Sequence, residues 1–225
     1  MLTYSAVEPS NIKCNDKLRV SEDNKYRFAN IYYKDKKSER SDRSDKIVLA
    51  FKTPMVLIEI KQNRLNIFIN SGEKGKTFYT LIRGIDDNVK EIAKDKVENK
   101  KWWGDNDDID VDCLDEMFKD SIRANESGRV LTVGLHNNIK IVDPNGNNFE
   151  DNLDRFKDKP VKATIVLQLN CVKFKKTSFQ CEYVAKVIKL NDVVKLQDAE
   201  DSDYDVLEND VDPNDVNCSD DDEQC

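Results

Sequence analysis

The chain has 225 residues, with 36 basic and 44 acidic side chains and a formal net charge of −8 at pH 7. Only 38% of the residues are hydrophobic, so a modest core is expected, and the low content of Gly and Pro excludes a fibrous body. No apolar run approaches the ~18 residues that span a bilayer. No signal peptide is recognisable at the start, so the six cysteines predict reduced thiols in an intracellular protein.

Strand patterns occupy the first part of the chain. A short strand is predicted over residues 17–20, and a better one over 26–33, where aromatic and basic side chains interleave. The polar segment 34–46 predicts a loop. Residues 46–60 have the strongest strand pattern, and Pro54 inside them predicts a bulge, a corner or a division into two strands.

A helix is predicted after the alternating strand pattern of residues 65–69. Apolar residues at helical spacing favour a helix over 77–97, and the members of this stripe are Phe78, Leu81, Ile82, Ile85, Val89 and Ile92. Thr77 is the expected N-cap. Gly84 costs about 1 kcal/mol relative to alanine, so the middle of the helix is expected to be weak.

Further strands follow the helix. Residues 129–135 alternate as a strand, and the turn residues 136–138 predict that 139–142 pairs back as a hairpin. The patterns of 161–175 and 178–190 predict a long closing hairpin.

These elements predict a mainly β fold of six to eight strands with one to three helices. Strands of uneven length with a helix between two strand groups favour an OB-like small barrel with an inserted helix over a flat sandwich. A three-residue loop at 175–177 would place Cys171 opposite Cys181 in the closing hairpin, and both thiols are expected to be reduced.

The C-terminal segment 197–225 contains thirteen acidic residues and no Lys or Arg. Without it, 36 basic residues stand against 31 acidic ones, so the net charge changes from −8 to +5. Such a segment buries too little apolar surface to offset its ordering entropy, which predicts a disordered tail. We therefore expect a nucleic-acid-binding body over 1–196 and an acidic tail over 197–225, whose last acidic run is Asp220, Asp221, Asp222 and Glu223.

No catalytic residue, metal site or cofactor is predicted. Gly75-Lys76-Thr77 lacks the first glycine of a phosphate-binding loop, because Asn70 stands at that position. The acidic run 105–112 lacks the glycine and the final glutamate of a calcium loop, and His136 stands alone in a turn. We therefore expect a protein that is not an enzyme.

Three segments interleave aromatic and basic residues, the mixture that binds unpaired nucleic acid. Lys and Arg follow the phosphates, and aromatic rings stack on bases for about 1–3 kcal/mol per base. Tyr26-Arg27-Phe28 belongs to the first segment. The candidate binding residues are Tyr32, Tyr33 and Lys34; Lys100, Lys101, Trp102 and Trp103; and Lys173, Phe174, Lys175 and Lys176. A core role beside extended lysines stays open for Phe28, Phe174 and one tryptophan.

Together, these features resemble the single-stranded DNA-binding proteins of short-tailed phages and the related family in large nucleocytoplasmic DNA viruses. The resemblance lies in residues 51–55, in 65–69 leading into the helix with Ile85-Asp86, and in 187–190 before the acidic tail. It implies an OB fold that binds single-stranded DNA in replication, recombination or repair, and a tail that competes with DNA and recruits replication proteins. The chain departs from the family by ending on Cys225 rather than on an aromatic or apolar residue.

Two other functions stay open, an acidic-tailed chaperone of basic proteins and a viral structural or virion-core protein. The expected partners are single-stranded DNA and replication proteins, with no membrane, and a homodimer is left open. A viral chain would act at a viral replication site or in the host cytoplasm or nucleus.

Overall fold

The computed structural model describes residues 2–23, 25–34, 47–61, 63–99, 101–102, 110–125, 128–148 and 160–191. The chain divides into two units, Met1–Val193 and Val194–Cys225, and every described residue belongs to the first. The predicted tail therefore lies outside the described residues.

Strands dominate the described part of the chain, which contains eleven of them and two α-helices. The strands are β1 Leu2–Thr3, β2 Ile12–Cys14, β3 Arg19–Val20, β4 Arg27–Tyr33, β5 Ala50–Lys52, β6 Val56–Lys61, β7 Arg64–Ile69, β8 Ile122–Asn125, β9 Gly128–Val142, β10 Val161–Lys175 and β11 Ser178–Leu190. The helices are α1 Glu73–Glu98 and α2 Leu114–Met117. None of the described helices is both long enough and apolar enough to span a membrane.

Five of these strands form a closed ring in the order β6, β7, β9, β11, β10 and back to β6. Strands β9 and β11 run parallel, and the other pairs of the ring are antiparallel. Alternate residues of each strand point inward and fill the interior, as the buried positions of β7 show. The mainly β, OB-like small barrel expected from the sequence is confirmed.

The ring closes at a corner beside Pro54. The backbone N–H of Thr53 donates to Ile165 O at 2.9 Å, and Ile165 N donates to the Thr53 hydroxyl at 3.0 Å. Because proline cannot donate to a ladder, the chain divides here into β5 and β6, and both strands pair with β10. The division into two strands, one of the outcomes predicted for Pro54, is the observed one.

Helix α1 packs its apolar stripe into the barrel core, as predicted, with Phe78, Ile82, Ile85 and Val89 fully buried. It begins at Glu73 rather than after the expected N-cap Thr77, whose hydroxyl donates to Glu73 O at 3.0 Å. The earlier start depends on Gly75, since a Cβ there would lie 2.1 Å from Asn70 O. The helix continues unbroken through Gly84.

The hairpin predicted at residues 136–138 is wrong, because β9 is one strand of 15 residues. Its second half, 139–142, pairs with β11 instead of folding back. The pairing shifts from Leu135 opposite Ala185 to Lys140 opposite Val187, so the turn residues form an irregularity on β9. His136 Nδ1 accepts from the backbone N–H of Asn138 at 3.1 Å within this irregularity.

The closing hairpin is confirmed, but its register differs from the one expected. A two-residue turn at 176–177 pairs Lys175 with Ser178, so Cys181 lies opposite Val172. A bulge between Leu169 and Cys171 then places Cys171 opposite Glu182. Both thiols are buried and free.

Candidate nucleic-acid interface

Strand β4 carries a row of aromatic side chains on one face. Its residues alternate in burial, with Ala29, Ile31 and Tyr33 buried and the intervening side chains half-buried. The rings of Tyr26, just before the strand, and Phe28 lie on this half-buried face with centroids 6.2 Å apart, and Tyr32 follows on the same face by alternation. We call Tyr26, Phe28 and Tyr32 the aromatic stripe.

Strand β10 places a cation directly on the aromatic stripe. The antiparallel register pairs Lys173 with Phe28, and the Lys173 ammonium lies 3.9 Å from the centroid of the Tyr26 ring. A cation at this distance from a ring face is attracted by the ring quadrupole. The structure therefore brings together two segments about 145 residues apart, each of which the sequence singled out independently.

Two further cations flank the aromatic stripe on its other side. Arg19 of β3 pairs with Phe28, and Lys13 of β2 pairs with Tyr32. Both side chains are exposed. Paired residues of neighbouring strands point to the same face. Phe28 therefore has a basic residue on each side, Lys173 and Arg19, and Tyr32 has Lys13 on one side.

Three lysines proposed as ligands from the sequence lie at or just after the ends of the two strands that carry this face. Lys175 and Lys176 are exposed at the turn of the β10–β11 hairpin, and Lys34 is exposed after β4. In an OB barrel, the loop between the fourth and fifth strands contributes to oligonucleotide binding. Of the five ring strands taken in chain order, β10 and β11 are the fourth and the fifth, so the 176–177 turn holds that position here.

Three of the predicted aromatic ligands are core residues. Tyr33, Trp102 and Phe174 are only 5%, 3% and 4% exposed. The indole N–H of Trp102 donates to Asn15 O at 2.8 Å, and its ring meets Phe174 edge-on at 5.1 Å. Phe174 in turn stacks on Phe179 at 5.5 Å. A core role, left open for Phe174 and one tryptophan, is the one observed, and these three rings lie too deep to stack on a base.

In the second predicted segment, residues 100–103, the structure describes only Lys101 and Trp102. Lys101 is exposed and its ammonium lies 3.7 Å from a carboxylate oxygen of Asp16, which also pairs with Lys96. The predicted ligands Lys100 and Trp103 lie outside the described residues. Lys101 therefore belongs to a mixed-charge cluster beside β2.

The candidate set from the sequence missed Arg19 and Lys13. They lie on strands of two and three residues, too short for a period-two pattern. Tyr26 and Phe28 belong to a basic-aromatic segment that the sequence analysis identified. The alternation of side chains along β4 is what separates them from Tyr33. Residues 26, 28 and 32 share a face that 33 does not.

A second row, with two basic residues, lies on the outer face of the barrel, and one of the two, Lys61, is ion-paired with Glu59 at 2.9 Å. Lys61 of β6 pairs with Arg64 of β7, which pairs with Gly134 of β9. Both cations are exposed. Gly134 at the end of this row leaves the backbone accessible to a close approach, since a Cβ there would have no neighbour nearer than Tyr183 O at 3.7 Å.

Comparison with solved structures finds a phage protein. The single-stranded DNA-binding protein of bacteriophage Enc34 in complex with ssDNA has a TM-score of 0.42 at 8% identity, covering 63% of this chain and 85% of that chain. Its C-terminal truncation has a TM-score of 0.42 at 9% identity, covering 77% and 94%. A further structure of the same protein has a TM-score of 0.38 at 9% identity, covering 82% and 96%.

No model of a known protein family matches the chain. No curated protein matches it either. The resemblance to the family of large nucleocytoplasmic DNA viruses therefore stays a prediction.

Proposed function

We propose that this protein binds single-stranded DNA without sequence preference and catalyses no reaction. The observation that carries the proposal is the aromatic stripe on β4, crossed at Phe28 by Lys173 on one side and Arg19 on the other. Unpaired bases expose ring faces that such side chains stack on, and every base has such a face.

The stripe is better suited to single strands than to a grooved duplex. Its rings lie half-buried along a strand, with Tyr26 and Phe28 inclined by 53° to each other, so they offer ring faces for stacking and not a probe that reads base edges. Cations on both sides follow a phosphate backbone that runs beside the stacked bases. The lysines of the hairpin turn and the row of Lys61 and Arg64 would extend the contact around the barrel.

The acidic tail would compete with DNA for these cations. Its thirteen acidic residues exceed the surplus of five basic residues in the rest of the chain. At low salt, a polyanion tethered to the body therefore weakens the attraction of phosphates, and salt reduces this effect. Recruitment of replication proteins, the other role implied by the resemblance, belongs to the same proposal.

The proposal is tested by fluorescence anisotropy with a labelled oligothymidine at two salt concentrations. Tyr26→Leu and Phe28→Leu keep the apolar volume but remove a ring face, so each variant should weaken binding about 5- to 150-fold. Tyr79→Leu is the matched control, because Tyr79 is a half-buried tyrosine 4.3 Å from the Arg129 guanidinium but lies on α1. Equal losses in all three variants would refute the stripe as the binding surface.

Removal of residues 197–225 tests the tail. The shortened chain should bind the oligonucleotide more tightly, with the largest gain at low salt. Unchanged affinity at both salt concentrations would refute the competition.

The second candidate, a chaperone of basic proteins, is favoured by the charge of the tail alone. In that case, the full chain would bind a basic protein such as a histone, and the shortened chain would not. Neither form would then bind the oligonucleotide.

A further inference from the structure

Lys173 is held from two sides on the aromatic stripe. Its ammonium lies 3.9 Å from the Tyr26 ring centroid and 3.3 Å from Oε1 of Glu182. Both partners of this ion pair are partly sheltered, with side chains 21% and 32% exposed. The cation nearest to the stripe is thus already matched by a carboxylate.

Glu182 is itself fixed in place at its second oxygen. The thiol of Cys171 lies 3.5 Å from Oε2, directly across the β10–β11 ladder. Burial, with the neighbouring carboxylate, raises the pKa of this thiol to about 12, so it stays protonated and donates. The carboxylate is therefore an ordered group facing the stripe and not a mobile surface acid.

We propose that Glu182 is a specificity-determining residue, which makes this surface select single-stranded DNA over duplex DNA. The inference rests on the proposed function. A phosphate that takes Lys173 must displace Glu182, so the electrostatic gain from that contact is small. A strand gains net affinity only if it also stacks a base on the rings beside Lys173.

This condition separates the two forms of DNA. A single strand has unpaired bases to place on Tyr26 and Phe28, whereas a duplex keeps its bases in its own stack. Duplex binding depends on phosphates alone, and Glu182 reduces the attraction that Lys173 offers to them. Glu182 should therefore suppress duplex binding more than single-strand binding.

The test is Glu182→Gln in the full chain, measured against a single-stranded and a duplex oligonucleotide of equal length. The substituted amide keeps the shape of the side chain and can still accept from Cys171, so the fold should persist; urea unfolding checks this. Duplex affinity should rise about fivefold at low salt, as expected for one released cation, and single-strand affinity should rise less. The salt slope for duplex should steepen by about 0.9.

Asp120→Asn is the control for net charge, because Asp120 forms an ion pair with Arg83 of α1 and its substitution likewise releases one cation. Lys173→Gln combined with Glu182→Gln should abolish the gain. An unchanged ratio of duplex to single-strand affinity, or a change equal to that of Asp120→Asn, would overturn the inference. A chain that binds neither oligonucleotide would refute the proposed function itself, whereas binding that ignores Glu182 refutes only this inference.

Discussion

Replacement of Asp86 by asparagine should remove a pH dependence of stability that the wild-type chain carries in its core. Asp86 is fully buried on α1, and its carboxylate accepts from both the backbone N–H of Ser121 at 2.9 Å and its hydroxyl at 2.6 Å. Burial is the main cause that raises the pKa of Asp86 from 3.8 to about 6, and the bonds from Ser121 oppose it.

The direction of this pH dependence follows from the number of protons that the folded and unfolded chains bind. Between pH 3.8 and about 6, the folded chain keeps a proton that the unfolded chain has lost, so the free energy of unfolding falls as pH rises. The full loss is about 3 kcal/mol, from a shift of about two pKa units at 1.36 kcal/mol each. The proton-linkage relation, applied with these two pKa values, gives a fall of about 1.4 kcal/mol in the free energy of unfolding between pH 5.0 and 7.5.

Urea unfolding at these two pH values, followed by the fluorescence of the buried Trp102, measures the effect. The wild-type free energy of unfolding minus that of Asp86→Asn should fall by about 1.4 kcal/mol from pH 5.0 to 7.5, because both chains share every other titrating group. Ser121→Ala removes one opposing hydrogen bond, so the transition should move to higher pH in that variant. A difference that stays flat, or rises with pH, contradicts the assignment of Asp86.

Three substitutions test the fold that carries the interface, each by the free energy of urea unfolding. Gly75→Ala should lower the free energy of unfolding by more than about 1 kcal/mol, since the new Cβ would lie 2.1 Å from Asn70 O and the backbone must move. Gly146→Ala is the control: no atom lies within 4 Å of the new Cβ there, but φ is +91°, so this variant measures the cost of the backbone conformation alone. Thr53→Val leaves Ile165 N without its acceptor at the barrel corner, which should cost about 1–3 kcal/mol, and Thr132→Val on the exposed face should cost less. Trp102→Phe keeps a ring beside Phe174 but loses both the bond to Asn15 O and part of the buried indole volume, so a loss of more than about 1 kcal/mol is expected. An unchanged stability would contradict the placement of Trp102 in the core.

The elements were predictable wherever a local period existed. The stripe from Phe78 to Val89 and the alternation on β7 indicated the right element types, because burial on one face imposes those periods. The start of α1 was missed because its cause, the fit of Gly75 against Asn70, is a contact and not a composition signal. The continuity of β9 was missed for a similar reason, because its turn-like residues 136–138 stay in the strand through the pairing with β11 on both sides of them.

The candidate interface was only partly predictable. Composition located Lys173 and the aromatic residues of β4, but nothing local indicates that the two segments pair. The burial of Trp102 depends on its contact with Phe174, which is far away in the sequence and itself stacks on Phe179. A bulge of one residue between Leu169 and Cys171 decides which hairpin side chains share the face with Glu182, and no residue pattern identifies it.

The pairing of β4 with β10 also sets the order in which the interface can form during synthesis. The aromatic stripe is made early, by residue 33, but Lys173 and the strand that supports the stripe come about 140 residues later. A nascent chain therefore exposes these aromatic side chains, with only β2 and β3 to pair with β4, until nearly the whole body has left the ribosome. Since pairing at such long sequence separation is slow, binding competence should appear late and all at once, and no fragment that stops before β10 should have it.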